Sequence, residues 1–313
     1  MRVLWRCALI SLVAASLVGF TAIAHASPRE TAPPHIGNAM SHVGMSTRGR
    51  SPDGVPAGAR TARTRTTSNG ISYHGGPVFT SAVNAYLIWY GNWSGDTATT
   101  ILPKLVSGLS GSPYYKINTT YYDGANRHVP NAVTLAGQTT DAYSQGHTNL
   151  SDSSINAVVT SAISSGALPK DPNGLYFVLT STDVTKSGFL TSYCGWHTNA
   201  TIAGADIKYA FVGDPGTNGA CSVQTSVSPN GNVGADAMAS VVSHELEETA
   251  TDPDLSAWWD QRGYENADKC AWTFGTTYKV ANGSVANMTL GGLNFLIQRN
   301  WVNASGGYCA LSG

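Results

Sequence analysis

Ala85-Tyr86-Leu87-Ile88-Trp89-Tyr90 is an unbroken apolar and aromatic run that stops at Gly91-Asn92. Its length and its turn-forming end predict a buried strand. Leu175-Tyr176-Phe177-Val178-Leu179-Thr180 and Ile207-Lys208-Tyr209-Ala210-Phe211-Val212 repeat the pattern. Helical periodicity lies between these runs. Asp96 can cap a helix carrying Ile101, Leu105, Val106 and Leu109, with Pro103 in its first turns. Ser153 heads a second, with Ile155, Val158, Val159 and Ile163 on one side and Gly166 ending it. Asn131 to Ala136 reads as a further strand, Asn282-Gly283 as a hairpin turn, and Leu293 to Trp301 as a late strand. Strands interleaved with helices predict one α/β or α+β domain, with a mixed sheet flanked by helices and a β-rich C-terminal part.

The start of the chain speaks to compartment. Arg2 and Arg6 flank an apolar stretch that ends in Ala24-His25-Ala26, the pattern of a secretory signal peptide over residues 1–26. Residues 27–70 are rich in Pro, Gly, Ser, Thr and Arg, and read as a flexible basic linker or propeptide. The domain then occupies residues 71–313, with ten basic against seventeen acidic side chains and a net charge near −7. That surface argues against a nucleic-acid partner. No segment after the signal is long and apolar enough to span a membrane. The expected protein is therefore secreted and extracellular. Four cysteines follow the signal peptide: Cys194, Cys221, Cys270 and Cys309. An even number in an exported chain predicts two disulfides; of three connectivities, proximity favours Cys194–Cys221 and Cys270–Cys309. Each closes a loop worth ~3–4 kcal/mol in the chain-entropy picture.

Chemistry concentrates between Gly234 and Trp272. Its centre, His244-Glu245-Leu246-Glu247-Glu248, is a variant of the helical HExxH metalloprotease motif with glutamate in place of the second histidine. On a helix His244 and Glu248 project from one face, and Glu245 sits about 100° round. That geometry lets two side chains hold a divalent ion while Glu245 serves as general base. Glu247 reads as solvated. Eight of the domain's seventeen acidic residues fall between Glu245 and Asp268.

A catalytic zinc needs a third protein ligand. Glu265 ranks first, within Glu265-Asn266-Ala267-Asp268, and in that reading Asp268 orients His244 from behind. Asp254 ranks next and Asp252 last, its direction obscured by Pro253. Two carboxylates and one imidazole make a weaker Lewis acid than a two-histidine set, which favours a slow hydrolase or a structural ion. Calcium is the alternative to zinc, since Asp252, Asp254, Asp260, Glu265 and Asp268 offer oxygens, although no EF-hand loop is present. His74 and His197 could approach the site from loops. Trp258 and Trp259 flank the acidic segment and would contact substrate, by stacking on sugar rings, if exposed. The expected partner is a peptide or a cell-wall polymer.

Several motifs in order resemble the EXORDIUM-like, or phosphate-induced protein, family. They are Tyr73-His74-Gly75-Gly76-Pro77, then Asn84 to Asn92, then Tyr176 to Val184 with Cys194-Gly195-Trp196-His197. Pro229-Asn230-Gly231-Asn232-Val233-Gly234 leads into the helix and Ala250-Thr251-Asp252-Pro253 leaves it. The resemblance spans roughly residues 71 to 313. It implies an extracellular or wall-associated protein and supplies no catalytic assignment. Relatives of bacterial type, with a HExxE helix followed by Thr-Asp-Pro, are the nearer match, and they resemble zincin metallopeptidases at that helix only.

Overall fold

The three apolar runs become adjacent strands at the centre of one five-stranded sheet. The computed structural model describes residues 45–47, 70–304 and 306–313. The expected signal peptide and most of the 27–70 arm lie outside the described residues. In chain order the sheet contains β1 (Val83–Tyr90), β2 (Val133–Asp141), β3 (Gly174–Thr180), β4 (Gly195–Ile202) and β5 (Ala205–Gly213). Their spatial order is β2-β1-β3-β5-β4. Neighbours are parallel except β4, which runs antiparallel to β5 at the edge. Parallel strands need crossovers and helices on both faces, which is why β3 is buried along its whole length and β1 nearly so.

The crossovers carry the two expected helices. α1 (Ala98–Leu109) buries Ala98, Ile101, Leu102, Leu105, Val106 and Leu109, an i, i+3, i+4 stripe. Asp96 Oδ1 accepts from the Ala98 N–H at 2.8 Å and so serves the start of the helix, as the sequence suggested. α2 (Asp152–Ser164) begins one residue before Ser153, because its cap is Ser151, two residues earlier than expected. Ser151 Oγ accepts from the Ser154 N–H, and Ser154 Oγ accepts from the Ser151 N–H, a capping box with serine in the usual glutamate position.

β4 is the element the sequence did not announce. It joins β5 through Ala203-Gly204, both at positive φ (50° and 77°), the conformation of a two-residue primed turn. The β-rich C-terminal part consists of short antiparallel pairs: Tyr278–Lys279 with Val285–Ala286, Met288–Leu290 with Leu293–Phe295, and Asn300–Val302 with Tyr308–Ala310. The first is the hairpin expected at Asn282-Gly283. The late strand expected from Leu293 to Trp301 is interrupted, because Gln298 turns inward and its N–H bonds Ser240 Oγ on the central helix. Two disulfides close, Cys194–Cys221 and Cys270–Cys309, with Cα atoms 5.5 and 5.6 Å apart. Among the described residues no helix is long and apolar enough to cross a membrane.

Candidate metal centre

The HExxE motif lies in α3 (Val233–Thr251), the longest helix of the described residues. Asn232 Oδ1 caps it by accepting from the Ala235 N–H at 3.0 Å. Asp252 ends it: the carboxylate folds back to accept from the Ser256 and Ala257 N–H groups, and Pro253 forbids continuation. From Gly234 to Thr251 only Ala237 is not buried. A helix enclosed on all sides should be apolar throughout. This one carries His244, Glu245, Glu247 and Glu248 with no exposed surface at all. Such burial is costly unless each charge is neutralised or paired.

The pairing comes first from β4. Gly195 and His197, two residues apart on a strand, share the face turned to α3. At Gly195 a Cβ would lie 2.5 Å from Val241 Cγ1 and 3.0 Å from Glu245 Oε1, so only glycine lets the edge strand approach so closely. His197 Nδ1 then lies 3.5 Å from Glu245 Oε2 and 3.6 Å from Glu248 Oε2, and its Nε2 is 3.6 Å from Glu265 Oε2. On the other side of Glu248, Oε1 is 2.8 Å from His244 Nε2, which is itself 3.5 Å from Asp268 Oδ1. The Asp268 N–H donates to Glu248 Oε1 at 3.0 Å. Asp268 opens a short 3-10 turn ending at Cys270, so the Cys270–Cys309 bridge fixes it in place. The Gln298 amide meets His244 Nδ1 and orients the ring.

Four of these nitrogen–oxygen separations, at 3.5–3.6 Å, are too long for hydrogen bonds. Both nitrogens of His197, Oε2 of Glu245 and Glu248, both oxygens of Glu265 and Oδ1 of Asp268 are buried without a hydrogen-bond partner, and His244 Nε2 has its ion pair with Glu248 at 2.8 Å. Two ligands held about 2.0–2.2 Å from one ion at a tetrahedral angle sit roughly 3.3–3.6 Å apart, the spacing seen here. Among the described residues two groups could hold an ion: His197 with Glu245 and Glu248, and His244 with Glu248 and Asp268. Glu248 belongs to both.

The electrostatics agree. Burial works against the His197 imidazolium, yet Glu245 and Glu248 outweigh it and lift its pKa to about 9. Burial likewise opposes charge on His244, and Glu248, Asp268 and Glu245 raise it well above the usual histidine range. Burial would raise Glu248, but His244 and then His197 pull it down to about 2. Asp268 is pushed up to about 7 by burial and by the Glu248 charge, although His244 pulls the other way. Glu265 is driven far above the carboxylate range by burial and by Glu248, Asp252 and Asp268. Too many acids share too few cations, and a divalent ion would supply the missing positive charge.

The structure gathers His244, Glu245, Glu248, Glu265 and Asp268 into this cluster and keeps other candidates apart. Asp268 faces His244 and can itself be a ligand as well as an orienting group. Asp254 pairs instead with Lys208 at 3.3 Å, beside Asp206. Asp252 borders the cluster, where its carboxyl meets that of Glu265 while its Oδ1 takes the capping bonds, and Asp260 binds the Arg262 and Tyr264 N–H groups and Lys269. Of the two loop histidines, His197 enters the site from a strand, whereas His74 stacks on Trp259 with ring centroids 3.7 Å apart. Trp258 and Trp259 are buried, Trp258 among Tyr73, Tyr121 and Tyr122, so neither offers an open face to a sugar. Glu247 is the clearest correction: it is fully enclosed, with Asn300 Nδ2 donating to its Oε2 at 2.6 Å. Pairing of α3 with the C-terminal segment, which local periodicity does not reveal, closes that side.

Residues 71–297 match the family model described as "Phosphate-induced protein 1 conserved region". The chain is 32% identical to Protein EXORDIUM-like 5 of Arabidopsis thaliana over 74% of this chain and 75% of that protein. It is 32% identical to EXORDIUM-like 3 of the same plant over 66% and 70%. Protein PHOSPHATE-INDUCED 1 of Nicotiana tabacum is 25% identical over 58% and 65%. No solved structure gives a significant match. With a model covering most of the folded domain and relatives aligned along most of their own length, this chain belongs to the EXORDIUM-like, phosphate-induced protein family.

Proposed function

We propose that this chain is a secreted EXORDIUM-like protein whose buried cluster holds a zinc ion and hydrolyses peptide bonds, with Glu245 as general base. The observation that carries the reading is the set of enclosed, unbonded ligand atoms 3.5–3.6 Å apart around Glu248. Each ligand group carries an imidazole, which favours zinc, since calcium prefers an all-oxygen shell. His197 stands at the other oxygen of Glu248 from His244, so each ligand group keeps one imidazole with two carboxylates, the weaker Lewis acid expected of a HExxE motif. When bound, such an ion polarises water or a carbonyl. Glu245 Oε2 has no hydrogen-bond partner and points into the cluster, where it can take a proton. Enclosure strengthens each of these interactions by lowering the local dielectric. Two disulfides suit an oxidising, extracellular setting.

A second reading is favoured by the same enclosure. A site with no exposed ligand suits a structural ion in a non-catalytic protein associated with the cell wall or its carbohydrates. Elemental analysis of purified protein beside His244→Ala and Glu248→Ala tests both readings. Near one zinc per chain, lost in both variants, supports the centre; metal-free protein that remains folded rules it out. Peptide hydrolysis that survives Glu245→Ala unchanged removes the catalytic role and leaves the structural one.

A further inference from the structure

Met45-Ser46-Thr47, from the stretch that reads as linker or propeptide, is buried in the domain. The three residues lie extended and antiparallel to residues 192–194, just before β4, with Ser46 bridged to Tyr193. The Thr47 N–H donates to Ser192 O at 3.1 Å, and the Cys194 N–H donates to Met45 O at 2.7 Å. Trp272 Nε1 donates to Ser46 O at 3.2 Å. At the far end the Met45 N–H donates to Glu245 Oε1 at 3.1 Å. Beyond Met45 the groove meets a recess lined by Cys221, Val223, Val233, Trp272, Phe274 and Leu296.

Nearly every contact is to main chain. Two N–H groups and two carbonyls of the segment are bonded, and its side chains add the buried Met45 at the recess and one long hydrogen bond from Thr47 Oγ1 to Thr191 O. Any extended peptide in the same register would satisfy the same partners, as in strand addition. The floor is rigid, because Cys194 is tied to Cys221 and Gly195 packs on α3. One end of the groove is Glu245, the carboxylate proposed above as general base.

We propose that residues 191–194, Trp272 and Glu245 form a groove for an extended peptide, and that Met45–Thr47 is its tethered occupant, covering Glu245. The proposal rests on the metal-site reading only for the chemistry that would follow binding. A tethered occupant competes at roughly millimolar effective concentration, so a free peptide is shut out until the tether contact is weakened.

The test uses a fluorescently labelled peptide copying residues 40–50, added to the full chain and followed by anisotropy, with zinc measured in the same samples. Met45→Pro deletes the N–H that reaches Glu245, and Thr47→Pro deletes the N–H that reaches Ser192 O, both changes in the tether that leave the groove intact. Wild type should bind weakly, Met45→Pro at least about tenfold more tightly, and Thr47→Pro severalfold more tightly. Thermal melting checks that each variant is folded, and Thr47→Pro decides the matter if Met45→Pro is not. Folded variants that bind no more peptide than wild type overturn the groove, and zinc retained in them leaves the metal reading standing. Peptide uptake by metal-free protein upholds the groove and removes the metal reading.

Discussion

Glu247 and Glu248 follow one another on α3, both without exposed surface, yet they keep different company. Glu247 faces an uncharged wall. Asn300 donates to its carboxyl, Asn266 donates to its backbone carbonyl at 3.1 Å, and Tyr114, Tyr115 and Tyr121 lie near enough to feel its charge. Burial drives its pKa well above the carboxylate range, more than the amides of Asn118 and Asn300 and the charge of His244 draw it down, which favours the neutral acid. Glu248, about 100° further round the helix, sits between two imidazoles that hold it ionised. A buried acid is therefore not a metal site by itself. Each leaves one oxygen without a hydrogen-bond partner, but among the described residues only Glu248 has imidazole and carboxylate ligand atoms gathered round it, and a cation would satisfy them together.

The largest expected effect breaks the pair apart. Glu248→Gln removes the carboxylate shared by both ligand groups, so zinc affinity should fall by more than the roughly 10–100-fold that outer-shell partners command. Glu247→Gln should leave zinc content at its wild-type value. Equal zinc loss in the two variants, measured by elemental analysis after dialysis, would show that the distinction between the two acids is false. His197→Gln sharpens the same test, since it asks whether the histidine of β4 contributes as much as that of α3.

Chelation comes next. An ion bound only by the folded state contributes about 4 kcal/mol when present at a thousand times its dissociation constant. Stripping wild type with a chelator should therefore lower the melting temperature by several degrees, while Glu248→Gln, already empty, should not move. A chelator effect of equal size in both proteins would place the ion elsewhere.

Glu247 supplies a smaller effect. Glu247→Ala strands the amide of Asn300 and opens a cavity, for a cost of roughly 2–4 kcal/mol by denaturant titration. Glu247→Gln keeps the shape and a neutral acceptor, and should cost less than about 1 kcal/mol. If the two variants were equally damaging, Glu247 would be held as an anion and the contrast with Glu248 would collapse.

Much of this was legible in the chain, and the illegible parts share a cause. The three central strands and the HExxE helix declare themselves through local patterns: continuous apolar runs, and two ligand types four residues apart. β4 does not, because an edge strand reading Gly-Trp-His-Thr-Asn-Ala-Thr-Ile has too few apolar residues to stand out. His197 precedes His244 by 47 positions, and only antiparallel pairing of β4 with β5 brings it over α3. The primed turn at Ala203-Gly204 and the close approach at Gly195 were the available signals. Asp268 was named as an orienting group, but the fold presents its oxygen to His244 directly. Asp254 stood at a plausible spacing and was diverted by Lys208, a partner supplied by β5. Burial of Glu247 depends on a segment more than fifty residues later.

Asp214 offers a third way to bury an acid, and the smallest effect. It follows β5 and meets the first turn of α3 at Gly234, where a Cβ would come within 1.9 Å of its Oδ1. The Gly216 N–H donates to the same oxygen at 2.8 Å. Burial pushes its pKa up to about 6; the Gly216 bond pulls it down and Asp96 adds to the rise. No imidazole stands beside it to keep it ionised, and no amide cage stores it neutral at pH 7. Its folded pKa lies above its unfolded value, so its stabilising contribution is complete below about pH 4, where both states are protonated. It is lost as pH rises through about 6, because the folded chain must then ionise a buried group. Asp214→Asn keeps the acceptor for Gly216 without the charge. The variant should match wild type near pH 4 and melt higher at pH 7, by an amount bounded at ~3 kcal/mol. A stability difference that stays constant between pH 4 and 7 would mean that Asp214 ionises as freely in the folded protein as in water, and that the start of α3, unlike its middle, tolerates a buried anion without a partner.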